Sequence, residues 1–245
     1  MNSTRPPKAA VLVAQRIVRD IIRDGLHPGD GLAPERAMLE KYGIGRGTLR
    51  EALRLLEFQG VLALKPGPGG GPVLLDPDAS HLADSVVLLM QLKEAPFRTI
   101  VEVRNALEPV ISGLAARRIG PESLAALDET IDQMRDNLED QDVFLEANKR
   151  FHDTIAWSSG NPLFGYIVDS LLGIMDGTQL GIDYPMPRRR AIFVAHERVV
   201  SAIKSGDPRE SESSMREHIQ EYTRYAERKY PDLLNQVIRW DRAFG

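Results

Sequence analysis

Apolar residues recur every three or four positions through the first sixty residues, a spacing typical of helices that pack through one face. The segment VLVAQRIVRDIIRDG has this spacing up to Gly25, and a turn-rich stretch, LHPGDGLAP, follows it. Pro34 then begins a short helical segment, PERAMLEKYG, because proline is favoured in the first turn of a helix. A tight turn from Gly43 to Gly47 leads into RGTLREALRLLEFQG. The pattern predicts three helices with a sharp turn before the third.

The period changes after Gly60, where VLALKPGPGGGPVLL places two short apolar runs around a turn rich in proline and glycine. That arrangement predicts a β-hairpin. Three helices followed by a hairpin is the layout of a winged helix-turn-helix, whose third helix packs by one face and presents the other to a DNA major groove. We assign residues 1–75 to this DNA-binding domain and residues 76–80 to a linker.

From about residue 79 to residue 230 the spacing stays helical, and stop signals such as Pro96, Gly120 and SSGNP divide it into segments. The predicted helices cover 79–93, 97–119, 121–139, 141–158, 161–181, 187–205 and 208–229. The fold class is therefore mainly α, with an N-terminal winged helix-turn-helix that carries a small β-hairpin. A C-terminal all-α bundle of six or seven helices is predicted over 81–230. Residues 231–245 are a C-terminal tail, either a short extra helix or a loose end.

Charge separates the two parts of the chain. The net charge is −4, but residues 1–75 carry 11 Lys and Arg against 7 Asp and Glu, a net of +4, and the remainder carries a net of −8. A basic small part suggests a polyanionic partner for that end only. The absence of cysteine excludes disulfides and thiolate metal ligands, and no apolar run is long enough to span a membrane. The polar start lacks a signal peptide, so we expect a cytoplasmic protein without a membrane partner.

Candidate DNA-binding residues lie on the polar face of the third helix and around it. Arg46 and Arg50 are one turn apart near its beginning, where they could reach guanine edges or phosphates, and Thr48 could donate a hydroxyl to either. Arg36 is positioned for backbone contact, and Lys65 adds a charge beside the glycine-rich PGPGGG tip. The alternative is an arginine face that only meets water. PGPGGG matches neither the dinucleotide fingerprint nor the Walker pattern, which argues against a nucleotide loop.

Three of the five histidines fall on apolar helix faces. In NKRFHDTIAW, His152 lies one turn after Asn148 on an apolar stripe, and His196 and His218 occupy equivalent positions on two other helices. Convergence on a divalent transition metal, such as zinc or nickel, explains three inward imidazoles better than three separate hydrogen-bonded core residues do. A small carboxylate could fill the open coordination positions, neutralised by Arg104.

The stretch from PGDGLAPERAMLEKYG to the glycine-rich wing resembles the winged-helix domain of the GntR family of bacterial transcription regulators. The resemblance implies contact with double-stranded operator DNA by a set of polar residues and wing glycines: Arg36, Arg46, Thr48, Arg50, Gly69 and Gly70. The sequence departs from the family pattern at Ala33-Pro34 and at Gly45, where the family has hydroxyl side chains. Gly47 replaces another polar residue.

The helical region resembles the effector domain of the FadR subfamily over about residues 80–230, in the segments EVRNALEP, NKRFHDTIAWSSGNPLF, AHERVVSAIKSGD and MREHI. The resemblance implies that 81–230 is the effector-binding and dimerisation domain. The resemblance implies a metal held by Asn148, His152, His196 and His218, and a small organic acid effector beside Arg104. The family usually has Asp where this chain has Asn148, and an amide lacks the negative charge that attracts the metal. A polar pocket that takes the organic ligand directly is the alternative.

These features favour a homodimeric, ligand-responsive transcription regulator that reads an inverted repeat through two winged domains. The first alternative is a metal-dependent enzyme that uses the histidine cluster. Asp153 and Glu197 both point away from the predicted metal face, so that cluster lacks a general base in the sequence pattern. The second alternative is a metal sensor in which the ion itself is the signal.

Overall fold

The computed structural model of the chain describes residues 8–67, 70–76 and 78–240. The backbone divides into two compact units, Met1–His81 and Leu82–Gly245. Helices dominate both units, and the described residues of the first unit also form a small antiparallel hairpin. The predicted fold class is confirmed.

The N-terminal unit contains three helices and a hairpin around its own core. Their bounds are α1 Ala9–Arg23, α2 Glu35–Tyr42, α3 Arg46–Phe58, β1 Leu62–Lys65 and β2 Gly71–Leu74. The core is built from the apolar faces of these elements, with Ile17, Leu49 and Leu56 almost fully buried. Gly43 ends α2 with a φ of 65°, a conformation that glycine adopts without strain, and so permits the sharp turn before α3.

The turn-rich stretch before α2 does more than connect two helices. The backbone N–H of Leu74 donates to the carbonyl of Asp30 at 2.9 Å, and the N–H of Leu32 donates to the carbonyl of Pro72 at 2.8 Å. An antiparallel bridge between Gly31 and Val73 therefore pairs this segment with the second strand of the hairpin. The sequence pattern did not indicate this pairing, because the segment is short and lacks the alternation of a strand.

The C-terminal unit is a helical bundle. Its helices are α4 Ser80–Leu92, α5 Arg98–Arg118, α6 Pro121–Asp136, α7 Gln141–Ser158, α8 Pro162–Asp169, α9 Met186–Ser205, α10 Pro208–Lys229 and α11 Pro231–Leu234. The side chains of Asp140 and Asp207 accept backbone N–H groups at the beginnings of α7 and α10, as helix caps do. Helices α5, α7, α9 and α10 pack around a common interior. In the described part of the chain no helix has both the length and the apolar character needed to cross a membrane.

The helix predicted over 161–181 is much shorter in the structure. Helix α8 ends at Asp169, and turns lead to a 3-10 helix over Thr178–Leu180. Gly177 and Gly181 both have positive φ, and the carboxylate of Asp176 accepts the N–H of Thr178 at 2.9 Å. These local features break the helix although its apolar spacing continues, so the prediction was wrong over 170–181.

The tail past α10 joins the bundle. Leu234 and Ile238 are buried, and the N–H of Phe97 donates to the carbonyl of Gln236 at 2.8 Å. Of the two forms expected for the tail, the short extra helix, α11, is observed. Residues 241–245 lie outside the described residues.

Helices α5 and α10 approach closely through small residues. The hydroxyl groups of Ser112 and Ser211 are 2.8 Å apart in the buried contact. A Cβ atom on Gly113 would lie 3.0 Å from the carbonyl oxygen of Pro208, so a larger side chain there would push the two helices apart. The site described below depends on this packing, because it draws residues from both helices.

We expect Gly113→Leu to lower the stability of the helical unit by about 1–3 kcal/mol, the usual cost of overpacking a close contact. Thermal or urea unfolding followed by circular dichroism measures the loss. Gly120→Ala is the matched control, because a Cβ atom at Gly120 would meet nothing within 4 Å. Equal unfolding midpoints for Gly113→Leu and Gly120→Ala would contradict the close packing of α5 on α10.

Candidate nucleic-acid interface and candidate metal centre

Helix α3 presents an exposed polar face opposite its buried leucines. Arg46 and Arg50 are exposed and Thr48 is half-buried, whereas Leu49 and Leu53 lie in the core. The Arg46 side chain is 80% exposed and lies 3.9 Å from Glu35, a long contact that leaves its guanidinium available. The predicted face of α3 therefore carries its arginines at the surface, where they could contact a duplex.

Arg36 is also at the surface. Its side chain is 93% exposed, and its Nε donates to Glu40 at 3.3 Å one turn later on α2. An exposed ion pair of this kind contributes little stability and is easily exchanged for a phosphate.

A groove between α3 and the hairpin carries further positive charge. Arg50, Lys65 and Gly70 lie along it, together with Arg54, which the sequence reasoning missed. Arg54 follows Arg50 by one turn, so the helical period that identified Arg50 would also have found it. A Cβ atom on Gly70 would overlap the backbone carbonyls of Lys65 and Pro66, which restricts this position in the wing to glycine. Gly69, the other predicted wing glycine, lies outside the described residues.

Three histidines from three helices meet inside the helical unit. His152 on α7, His196 on α9 and His218 on α10 each offer a ring nitrogen, and these nitrogens all lie within 4.8 Å of one another. The three side chains are 3%, 0% and 5% exposed, so the cluster is closed to bulk water. The trio could hold a metal ion, because unprotonated imidazole nitrogens at this separation suit a divalent transition metal.

Neighbouring side chains fix the orientation of the rings. Phe151 stacks on His196 with ring centroids 3.8 Å apart and planes 8° from parallel. Nδ1 of His196 lies 3.3 Å from Sδ of Met134, and Nε2 lies 3.0 Å from Nε2 of His218. Nε2 of His152 is buried and has no hydrogen-bond partner among the described residues. An unsatisfied nitrogen beside two facing nitrogens points to a ligand that all three share.

Burial keeps two of the rings neutral. It lowers the pKa of His196 well below the usual value, and the neighbouring rings of His218 and His152 lower it further. Burial and His152 have the same effect on the pKa of His218. Neutral imidazole is the form that binds a metal, so these two rings are ready to act as ligands at pH 7.

The sequence reasoning missed Glu108, a buried carboxylate on α5. Its Oε2 lies 2.5 Å from Nδ1 of His152 in a bent contact, and its Oε1 accepts a hydrogen bond from Nε of Arg104 at 2.6 Å. Burial alone would raise the pKa of Glu108, but Arg104 and His152 outweigh it and hold the pKa well below its usual range. The sequence pattern offered only Asp153 and Glu197 as acids near the cluster, because Glu108 comes from a helix that is distant in sequence.

Arg104, the predicted effector-binding residue, is buried and already paired. Besides its contact with Glu108, its Nη1 donates to the carbonyl of Met175 at 3.1 Å. Asn148, the fourth predicted metal ligand, is 8% exposed and lies one turn before His152 on α7. The structure thus places Arg104 next to the histidine trio through Glu108, and it places Asn148 on the same helix as His152.

A second arginine and two tyrosines complete the interior, and the sequence reasoning missed them as well. The hydroxyls of Tyr184 and Tyr222 both donate to the carbonyl of Asp176, at 2.7 and 3.1 Å. The Arg188 guanidinium lies 4.6 Å from the ring centroid of Tyr225, and its Nε has no hydrogen-bond partner in the described part of the chain. Arg104 and Arg188 both contribute to lowering the pKa values of His196 and His218, so positive charge surrounds the trio.

Comparison with known proteins identifies the family of both units. The FCD domain family matches residues 99–221, and the bacterial regulatory proteins of the gntR family match residues 10–70. The chain is 33% identical over 209 residues to the HTH-type transcriptional regulator YcbG of Bacillus subtilis, covering 84% of this chain and 85% of the relative. It is 25% identical over 197 residues to the galactonate operon transcriptional repressor of Escherichia coli, covering 77% and 84%.

A solved structure shares the fold. The GntR protein of Streptococcus agalactiae aligns with a TM-score of 0.69 at 22% identity, over 88% of this chain and 99% of that chain. A winged helix-turn-helix joined to a helical effector domain defines a DNA-binding transcription regulator. This chain belongs to the GntR family and carries an FCD domain. The predicted resemblance is confirmed, and the family of regulators argues against the alternative of a metal-dependent enzyme.

Proposed function

We propose that this regulator holds a divalent transition metal in the helical unit, binds a small carboxylate beside the metal, and changes its affinity for operator DNA in response. The observation that carries the proposal is the buried histidine trio, in which Nε2 of His152 has no hydrogen-bond partner among the residues that the structure describes. Natural cores rarely leave such a nitrogen unsatisfied, and a bound ion would satisfy it.

The donor set fits zinc or nickel. His152, His196 and His218 would supply three nitrogens, and the amide oxygen of Asn148 a fourth ligand. The 3.0 Å contact between Nε2 of His196 and Nε2 of His218 needs one proton between the two atoms, and a metal would take the place of that proton. When bound, the metal would supply a Lewis-acidic position for an anionic ligand.

An anionic effector suits the charges around the trio. Arg104 and Arg188 both lie close enough to influence the histidines, and Nε of Arg188 has no hydrogen-bond partner among the described residues. We propose that Arg104 and Arg188 together attract the carboxylate. The relative in Escherichia coli represses a galactonate operon, and galactonate is a small hydroxy acid of the kind this site would accept.

Effector binding would require movement of side chains. The cavity beside Arg104 and Glu108 measures about 10 Å³, room for about one water molecule. It is lined by Ile167 and Leu171, near the end of α8 and in the turns after it. A ligand that opens this region binds the opened arrangement better than the closed one, and that difference in affinity can shift the regulator between two states.

DNA binding is assigned to the winged unit. We propose that Arg46, Thr48 and Arg50 read base edges and phosphates from α3. We also propose that Arg36, Lys65, Gly69 and Gly70 contact the sugar-phosphate backbone of the DNA.

A homodimer would place two winged units on the half-sites of an inverted repeat. Helix α4 leaves Leu89 and Leu92 exposed to 61% and 70%, an apolar surface that a second copy could cover.

A second candidate function is that of a metal sensor, in which the ion alone is the signal. The small size of the cavity favours it, because a metal ion needs no more room than the histidine trio already provides. The two candidates differ in whether an organic acid is needed for the change in DNA affinity.

Metal content tests the centre directly. We expect protein purified without chelator to contain about one zinc or nickel ion per chain, and His152→Ala to lose most of it, because His152 is one of three ligands. Inductively coupled plasma mass spectrometry measures the ratio. His27→Ala is the matched control, since His27 is exposed in the other unit. Wild-type protein without metal after incubation with zinc would contradict the proposed centre.

Mobility shift with the DNA upstream of the gene for this chain tests the winged unit. We expect Arg50→Ala to weaken binding about tenfold or more, because an arginine contact to a guanine edge contributes about 1–3 kcal/mol. Binding should also fall steeply with salt as phosphate contacts are lost. Arg117→Ala removes an exposed arginine from the helical unit and should leave the affinity unchanged. Equal affinities for both variants would contradict the role of Arg50.

Galactonate and lactate serve as effector probes. With zinc-loaded protein, we expect galactonate at millimolar concentration to raise the thermal midpoint and alter DNA affinity, and Arg188→Met to reduce both effects because one cation is lost. Arg190→Met, which changes an exposed neighbour, is the control. If zinc alone alters DNA affinity and neither acid adds to it, the metal-sensor function replaces the proposed one.

A further inference from the structure

The proposed ligand set has a deficit of negative charge. Three imidazoles and the amide of Asn148 are all neutral, yet the ion they would hold carries two positive charges in a place that is closed to water. A buried cation is costly unless a negative group lies near it. Arg104 and Arg188 increase this deficit, because each adds a positive charge close enough to act on His196 and His218.

Glu108 is the carboxylate in contact with the trio. It lies on α5, a helix that contributes no histidine, and it is 4% exposed. Its Oε2 is 2.5 Å from Nδ1 of His152. Two lone pairs at that distance would repel, so the ring proton belongs on Nδ1, although the contact is too bent to meet hydrogen-bond geometry. The other nitrogen, Nε2, then carries the lone pair that a metal needs, and a carboxylate behind an imidazole strengthens it as a donor.

Arg104 holds Glu108 in this position. Its Nε donates to Oε1 of Glu108 at 2.6 Å, while its Nη1 is anchored on the carbonyl of Met175 at 3.1 Å. The guanidinium therefore occupies one carboxylate oxygen and turns the other toward His152. All the contacts in this arrangement are made by groups of the chain itself.

We propose that Glu108 is a positioning residue of the metal centre: it orients His152 through Nδ1 and supplies the negative charge that Asn148 cannot. Arg104 acts in the same unit by fixing the carboxylate. The inference rests on the proposed function, because it concerns the metal that the histidine trio would hold. It gives Arg104 a role in the architecture of the site in addition to its attraction for an effector.

Zinc affinity of chelator-stripped protein tests the proposal, measured by competition with a chromophoric zinc chelator. We expect Glu108→Gln to weaken zinc binding about 10- to 100-fold, the usual effect of changing a residue behind a histidine ligand. Glutamine keeps an acceptor for Nδ1 but removes the charge. Asn148→Asp restores a charge one turn from His152, so the double variant Glu108→Gln/Asn148→Asp should recover most of the lost affinity.

Controls separate this role from general damage to the fold. Glu102→Gln removes an exposed acid from the same helix and should leave zinc affinity unchanged. Glu108→Gln leaves Arg104 buried without a counter-charge, which can unfold the unit. If circular dichroism shows such unfolding, the comparison is made in a background without the unpaired charge. Zinc affinity is then measured for the double variant Arg104→Met/Glu108→Gln and for the triple variant that also contains Asn148→Asp.

The outcomes distinguish the inference from the proposed function. Wild-type zinc affinity in a folded Glu108→Gln variant overturns the role of Glu108 and leaves the metal centre intact. A loss of affinity that Asn148→Asp does not recover also overturns it, because the effect is then structural and not one of charge. If wild-type protein binds no zinc, the metal centre itself is wrong, and this inference falls with it.

Discussion

The buried contact between Arg104, Glu108 and His152 is the constraint on which the helical unit depends. An arginine and a glutamate at 5% and 4% exposure would be costly alone, and the short ion pair between them offsets that cost. The pair lies on α5, and the imidazole it meets lies on α7. These polar contacts between two helices specify one arrangement of the helices, because a shift of either helix along its axis would leave a buried charge without its partner.

The close packing of α5 against α10 also helps to bring the three histidines together. Gly113 and the Ser112–Ser211 contact let the two backbones approach, and His218 on α10 is thereby brought toward the rings from α7 and α9. Phe151 then fixes His196 by stacking on it. The approach of three imidazole nitrogens to within 4.8 Å of one another is therefore a product of core packing, and the small residues between α5 and α10 contribute to it.

The two units of this GntR-family regulator differ in how far their arginines are exposed to solvent. The winged unit keeps its arginines at the surface, where water screens them until DNA is present. The helical unit buries Arg104 completely and Arg188 in part, where an anion is attracted far more strongly than in water. In the proposed function the same type of side chain would bind a polyanion in one unit and a small acid in the other, and its burial would determine which.

Sequence alone determined much of this protein. Helical spacing, glycine and proline punctuation, and the change of period after Gly60 were enough for the mainly α fold and its hairpin, because each is a local signal. The three histidines were found for the same reason, since each lies on the apolar face of its own helix.

Tertiary structure decided the positions of Glu108 and Arg188 and the pairing of Gly31 with the hairpin. Glu108 joins the site through a contact 44 residues away in sequence, which no local pattern records. Helix α8 likewise ends at Asp169, and the chain then passes through turns in which Asp176 and two glycines redirect the backbone, although the apolar spacing continues. The periodicity of one helix determines which side faces inward, but which side chains meet there is decided only when several helices pack.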